Sequence, residues 1–152
     1  MLEGAGLDFI ADVPYCDESA IKAGMKGRSA GEIALELAKA KALAGSARHP
    51  EAWVIGADQV LECGGTLYDK PENRAAADRQ LRELRGREHD LVSAVALARR
   101  GRVEWQAQDR ARLTLRDFAD AELQSYLDRA GDAALTSVGA YRIEGPAIRL
   151  FA

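Results

Sequence analysis

Only two cysteines, Cys16 and Cys63, occur in the 152 residues, and no C-x-x-C spacing joins them. That scarcity excludes a disulfide-stapled secreted scaffold and reads as two reduced thiols in a cytoplasm. The two histidines, His49 and His89, fall in unrelated segments, which speaks against a structural zinc site. No apolar run approaches the roughly 20 residues that cross a bilayer. The opening stretch, MLEGAGLDFIADVP, lacks a charged n-region and a long h-region, so it does not read as a signal peptide. An excess of positive charge is also missing: 21 Lys plus Arg face 24 Asp plus Glu, a net charge of −3. No overall field draws such a chain onto a nucleic-acid polymer or an anionic membrane. A polyanionic ligand must therefore be held by local cations or by a metal.

What is present fits one globular domain, 47% hydrophobic and 30% charged, with no internal repeat and no linker. A chain of this size buries roughly 70% of its unfolded surface. Asp8 to Val13 reads as a short strand running into the polar loop PYCDES. Ser29-Ala30-Gly31-Glu32 is a capping box, and Ile33, Leu37, Ala40 and Ala44 continue it at helical spacing until Gly45. Trp53 to Ala57 has the look of a strand buried on both faces. Val60-Leu61, Gly64-Gly65 and Thr66 to Tyr68 form a hairpin pattern. Ala77, Leu81 and Leu84 mark a second helix ending at Gly86, and Asp90 to Ala98 a further strand. Val103 to Leu115 alternates strictly and predicts a long, half-exposed antiparallel strand. Asp120 can cap a third helix carrying Leu123, Tyr126 and Leu127, with Gly131 as its stop. The class is α/β with a mixed, twisted sheet and flanking helices.

The stretch VIGADQVLECGGTLYDKP, Val54 to Pro71, carries the chemistry. Asp58 reads as a carboxylate at the carboxyl end of a buried strand, where ligands of α/β sheets sit. A lone carboxylate there is as readily a loop residue bonded to backbone N–H groups, and a lone Lys70 is more often solvated. The hairpin between them folds Lys70 back toward Asp58. The loop carrying Asp17 and Glu18 can reach the same edge. Two acidic groups and a lysine suit Mg²⁺ and phosphate together, because magnesium takes one or two carboxylates, several waters and substrate phosphates. Lysine serves phosphate as a point charge. Lys39 reads as a solvated helix lysine, whereas Lys41 shares the Ile33–Leu37 side and can emerge at a cleft.

VIGADQV, DKP after the hairpin, LAKAKA, LRELRGREH and GAYRIEG occur in the order found in Maf-type nucleoside triphosphate pyrophosphatases. Five motifs in register make the resemblance cover nearly the whole chain. It implies an inosine triphosphate pyrophosphatase-like fold, metal-dependent (Mg²⁺ or Mn²⁺) hydrolysis of a nucleoside triphosphate to monophosphate and pyrophosphate, and a homodimer. Position by position, Asp58 resembles the catalytic carboxylate and, with Glu18, the metal-holding pair. Lys41 and Lys70 match the phosphate-binding lysines, and Gln59 and Glu144 the base-recognition positions. Gln59 with Glu144 resembles the 7-methyl-GTP branch, since a glutamate only accepts and guanine offers two neighbouring donors. The dTTP/UTP branch and a catalytically impaired, septum-regulating nucleotide binder are the alternatives. Two departures stand out. Asp69 replaces the usual glycine of GKP, and residues 1–152 read as a single Maf-like domain without the family's opening strand, its S-x-S-P-R-R loop, or its closing end. That reading predicts an unpaired sheet edge and weak activity.

Overall fold

A computed structural model describes residues 3–13 and 15–152. After a short turn at Glu3–Ala5 come helices α1 (Glu18–Gly24) and α2 (Ala30–Arg48), strands β1 (Val54–Cys63) and β2 (Thr66–Tyr68), and helix α3 (Arg74–Leu84). Strands β3 (Glu88–Arg99) and β4 (Arg102–Thr114), helix α4 (Asp120–Ala130) and three 3-10 turns complete the chain. The sheet runs β2-β1-β3-β4. The α/β layering matches the sequence reading, but every pair among these four strands is antiparallel. A mixed sheet needs a parallel neighbour, and none is formed among the described residues.

Several local expectations shift for identifiable reasons. Asp8 to Val13 is no strand: its backbone enters no ladder, and Ile10 is 94% exposed. Arg48 instead ties this segment to the end of α2, through Asp12 and the Val13 carbonyl. Of the stretch read as the loop PYCDES, Pro14 lies outside the described residues and Glu18 and Ser19 already begin α1, which the sequence hides because the helix buries nothing. Helix α2 does start with the Ser29–Glu32 capping box, yet it runs through Gly45 to Arg48. Gly45 lets Val54 approach instead of ending the helix: a Cβ there would meet Val54 Cγ1 at 2.7 Å. Asp120 sits in the first turn of α4 and leaves capping to Glu122, which accepts from the Ala119 N–H at 2.9 Å.

Two cores flank the sheet. The face of β1 bearing Gly56, Asp58 and Val60 meets α2 across alanines: Ala34, Ala38, Ala42, Ala94, Ala96 and Ala98. At Gly56 the two backbones nearly touch, since a Cβ would lie 2.3 Å from the Ala38 carbonyl oxygen and 2.4 Å from the Ala42 nitrogen. The opposite face is covered only toward its β2 end, where Leu61, Cys63 and Tyr68 join Leu81, Leu84, Phe118, Leu123 and Leu127. Toward the other end the same face stays bare, with Ile55 52% and Trp105 54% exposed. The first residues of β1 are therefore half-exposed, not buried on both faces. β4 is exposed along most of its length, further than alternation alone suggested.

Candidate functional site

Asp58 is the fifth of ten residues in β1, not the strand's last. The polar residues Asp58, Gln59 and Glu62 made the apolar run look finished, but the ladder to β3 continues through Glu62. What opens Asp58 to a ligand is the other edge of the strand. β2 pairs β1 only from Leu61 to Cys63, so Val54 to Val60 have no strand neighbour on that side among the described residues.

The alanine-lined contact brings α2 close enough for Lys41 to lie along the sheet. Positions 33, 37 and 41 follow one helical stripe, and Lys41 Nζ donates to Asp58 Oδ1 at 2.5 Å. The same ammonium reaches Glu18 Oε1 at 3.0 Å. Side-chain exposure is 12% for Asp58, 16% for Lys41 and 46% for Glu18. Burial acts to lower the Lys41 pKa, but the bonds and negative charge of Asp58 and Glu18 outweigh it and hold the pKa above its ordinary value. Lys41 therefore stays an ammonium at neutral pH. Glu18 is placed by the first turn of α1, whose N-cap Asp17 accepts from the Ala20 N–H at 2.9 Å. Asp17 is thus spent on capping, and Glu18 alone of the acidic pair enters the site. Cys16 lies beside it. Burial, then the Glu18 charge, raises its thiol pKa, which favours the protonated thiol.

The remaining predicted residues separate. Gln59 points to the opposite face of β1 and donates to Ser93 Oγ at 2.9 Å. Lys70 is exposed and enters no ion pair among the described residues. Its neighbour Asp69, the apparent excess charge, is neutralised by Lys22 of α1. Sequence reasoning missed Lys22, because the hairpin and α1 meet only in three dimensions. Glu144 lies in a different cleft of about 320 Å³, with Arg129, Arg142 and Tyr126, and that cleft contains neither Gln59 nor Asp58.

Glu18 and Asp58 converge on one cation, and no third His, Cys, Asp or Glu joins such a group among the described residues. Two carboxylates fit a hard divalent ion that keeps waters and takes phosphate oxygens. They do not fit a closed zinc site. Cys16 and Cys63 are both free thiols. No helix among the described residues is long and apolar enough to cross a membrane.

Comparison with known proteins gives the family. The family model described as Maf-like protein matches residues 1–152. A nucleoside triphosphate pyrophosphatase of Bradyrhizobium diazoefficiens is 50% identical over 99% of this chain and 75% of its own length. One of Paramagnetospirillum magneticum is 48% identical, again over 99% of this chain and 79% of the relative. A 7-methyl-GTP pyrophosphatase of Brucella abortus is 42% identical over 99% of this chain and 77% of the relative. With the family model matched from end to end and relatives near half identity, the chain belongs to the Maf family.

Proposed function

We propose that the protein hydrolyses a nucleoside triphosphate to the monophosphate and pyrophosphate. The observation that carries this reading is the convergence of Lys41, Asp58 and Glu18 beside the open edge of β1. Lys41 has three N–H donors, of which the two carboxylates take two, leaving one for a phosphate oxygen. Asp58 accepts a proton from the attacking water as the water oxygen bonds to the α-phosphorus and the bond to the bridging oxygen breaks. Pyrophosphate leaves. A divalent ion (Mg²⁺ or Mn²⁺) held by Glu18 and Asp58 would polarise the phosphoryl group and lower the pKa of a bound water. Lys70 supplies a further cation for the phosphates.

Among substrates we favour 7-methyl-GTP. Gln59 follows Asp58, and relatives of that name align over nearly the whole chain. In this reading Glu144 accepts from the guanine N1–H and 2-amino groups, and N7-methylation strengthens those bonds. The protein acts in the cytoplasm, as a homodimer, on free nucleotides and not on a nucleic-acid polymer.

Pyrophosphate and monophosphate are to be quantified with 7-methyl-GTP, GTP, UTP and dTTP, in Mg²⁺ or Mn²⁺. Paired release of both products supports the activity. Orthophosphate release, or no turnover of any of the four, refutes it. A preference for UTP or dTTP removes the 7-methyl-GTP assignment alone. An unchanged substrate ranking in Glu144→Gln removes Glu144 from base recognition.

A further inference from the structure

Beside Val60, two residues along β1 from Asp58, a cleft of about 320 Å³ opens between α1, the start of α2 and the hairpin. Its floor is apolar, with Ile33 and Val60 from the α2-side core. Its rim is cationic: Lys22, Lys26 and Arg28 face a single carboxylate, Asp69. Lys22 is engaged with Asp69, and Arg28 with Glu32 at 3.1 Å. Lys26 has no ion-pair partner among the described residues. With Lys22 paired to Asp69 and Arg28 to Glu32, Lys26 is the one cation left over above a weakly polarisable floor, where a bound anion is screened less than in open water.

This cleft adjoins the Lys41–Asp58–Glu18 cluster on two sides. Val60 and Asp58 share a face of β1, and a two-residue step along a strand is about 6.8 Å. Glu18 and Lys22 are four apart in α1, and so lie one above the other on the same side of the helix. A triphosphate with its α-phosphorus at Asp58 can therefore extend its tail past Lys22 toward Lys26.

We infer that the cleft binds the pyrophosphate portion of the triphosphate, with Lys26 as its principal cation and Lys22 and Arg28 as supports. This rests on the hydrolysis proposed above and assigns to it a leaving-group site. The charge decides against the nucleoside end. Uncharged bases gain little from the spare positive charge of Lys26, and an N7-methylated guanine is itself positive and would be repelled.

The test is calorimetric titration of inorganic pyrophosphate into the wild-type protein and into Lys26→Glu, an exposed position where the fold is not at stake. Losing one charge-assisted contact and adding a like charge should weaken pyrophosphate binding by about 10- to 100-fold. In turnover assays the same variant should raise KM for the triphosphate and weaken product inhibition by pyrophosphate, while inhibition by the nucleoside monophosphate stays as in the wild type. Wild-type affinity in Lys26→Glu, or no pyrophosphate binding by the wild type, overturns the assignment. So does an equal loss of monophosphate inhibition, which would place the nucleoside end here. Lys26-dependent pyrophosphate binding without turnover of any triphosphate would keep the cleft and discard the hydrolysis. Turnover with pyrophosphate inhibition indifferent to Lys26→Glu would do the reverse.

Discussion

The two cores are built on opposite plans. On the α2 side seven of the eleven buried core residues are alanines, and helix and strand approach until backbone meets backbone at Gly56. On the α3–α4 side they are Leu61, Leu81, Leu84, Leu115, Phe118, Leu123, Tyr126 and Leu127, which hold the elements a side chain apart. The difference sorts stability from chemistry. Large apolar residues bury more area each and carry more of the folding free energy. Small ones shorten the distance between elements, and that short distance is what lets Lys41 rest on Asp58. The large-residue core contains none of the clustered charges; its polar groups are neutral ones such as the buried His89–Tyr141 pair and the Tyr126 hydroxyl, which donates to the Ala140 carbonyl.

The sharpest way to break this contrast is Gly56→Ala. One methyl group placed 2.3 Å from a carbonyl oxygen has no flexible neighbour to displace, so α2 must move off the sheet as a body. Overpacking commonly costs about 1–3 kcal/mol; against rigid backbone the loss should exceed about 4 kcal/mol, the range of severe effects. Urea unfolding should show it as a lost or strongly shifted transition. A wild-type transition would mean that the close approach is not required.

Asp58→Asn should act on chemistry and spare the fold, because the amide is nearly isosteric and Glu18 still accompanies Lys41. Turnover should fall by about 10²–10⁴-fold, the usual contribution of a positioned general base. Pyrophosphate release measured alongside the unfolding curve separates the two; wild-type rates would unseat Asp58.

Leu127→Ala probes the other core. This fully buried side chain should cost about 2–5 kcal/mol in unfolding free energy. The rate per folded molecule at saturating substrate should not change, since Lys41, Asp58 and Glu18 come from α2, β1 and α1 and none of them contacts α4. A matching loss of kcat in a fully folded sample would show that the two cores are not separable.

The smallest effect concerns pH. His89 is buried and exchanges a 2.6 Å hydrogen bond with the Tyr141 hydroxyl. Burial depresses its pKa below the usual 6.5, against a smaller opposing contribution from a backbone bond to Arg87. Below about pH 6.5 the unfolded chain thus binds a proton that the folded chain resists. Stability should be fully present above that pH and decline as pH falls through it, before the carboxylates near pH 4 begin to titrate. In His89→Gln this decline between pH 7 and 5 should flatten. An identical pH profile for both proteins would assign the acid sensitivity elsewhere.

Much of this molecule is written in neighbouring residues. The capping box at Ser29, the 77–81–84 stripe of α3, the Gly64-Gly65 hairpin and the alternation of β4 are local patterns, and each element formed where its pattern stood. So is the helical stripe that singled out Lys41. These features depend on residues a few positions apart, whose period or turn chemistry is the same in any fold. What depends on distant partners was not legible. Asp8 to Val13 had the composition of a strand but no neighbour to pair with, and Asp58 looked terminal because the sequence cannot show which edge of a strand is left open. Nor could it show that Lys22 neutralises Asp69 across 47 positions, or that Glu144 and Gln59 line different clefts. The sequence by itself determined the elements and most of the chemically able residues. Only the tertiary structure decided which of them meet, because meeting depends on how closely two backbones pack, and that distance is set by the side chains of both.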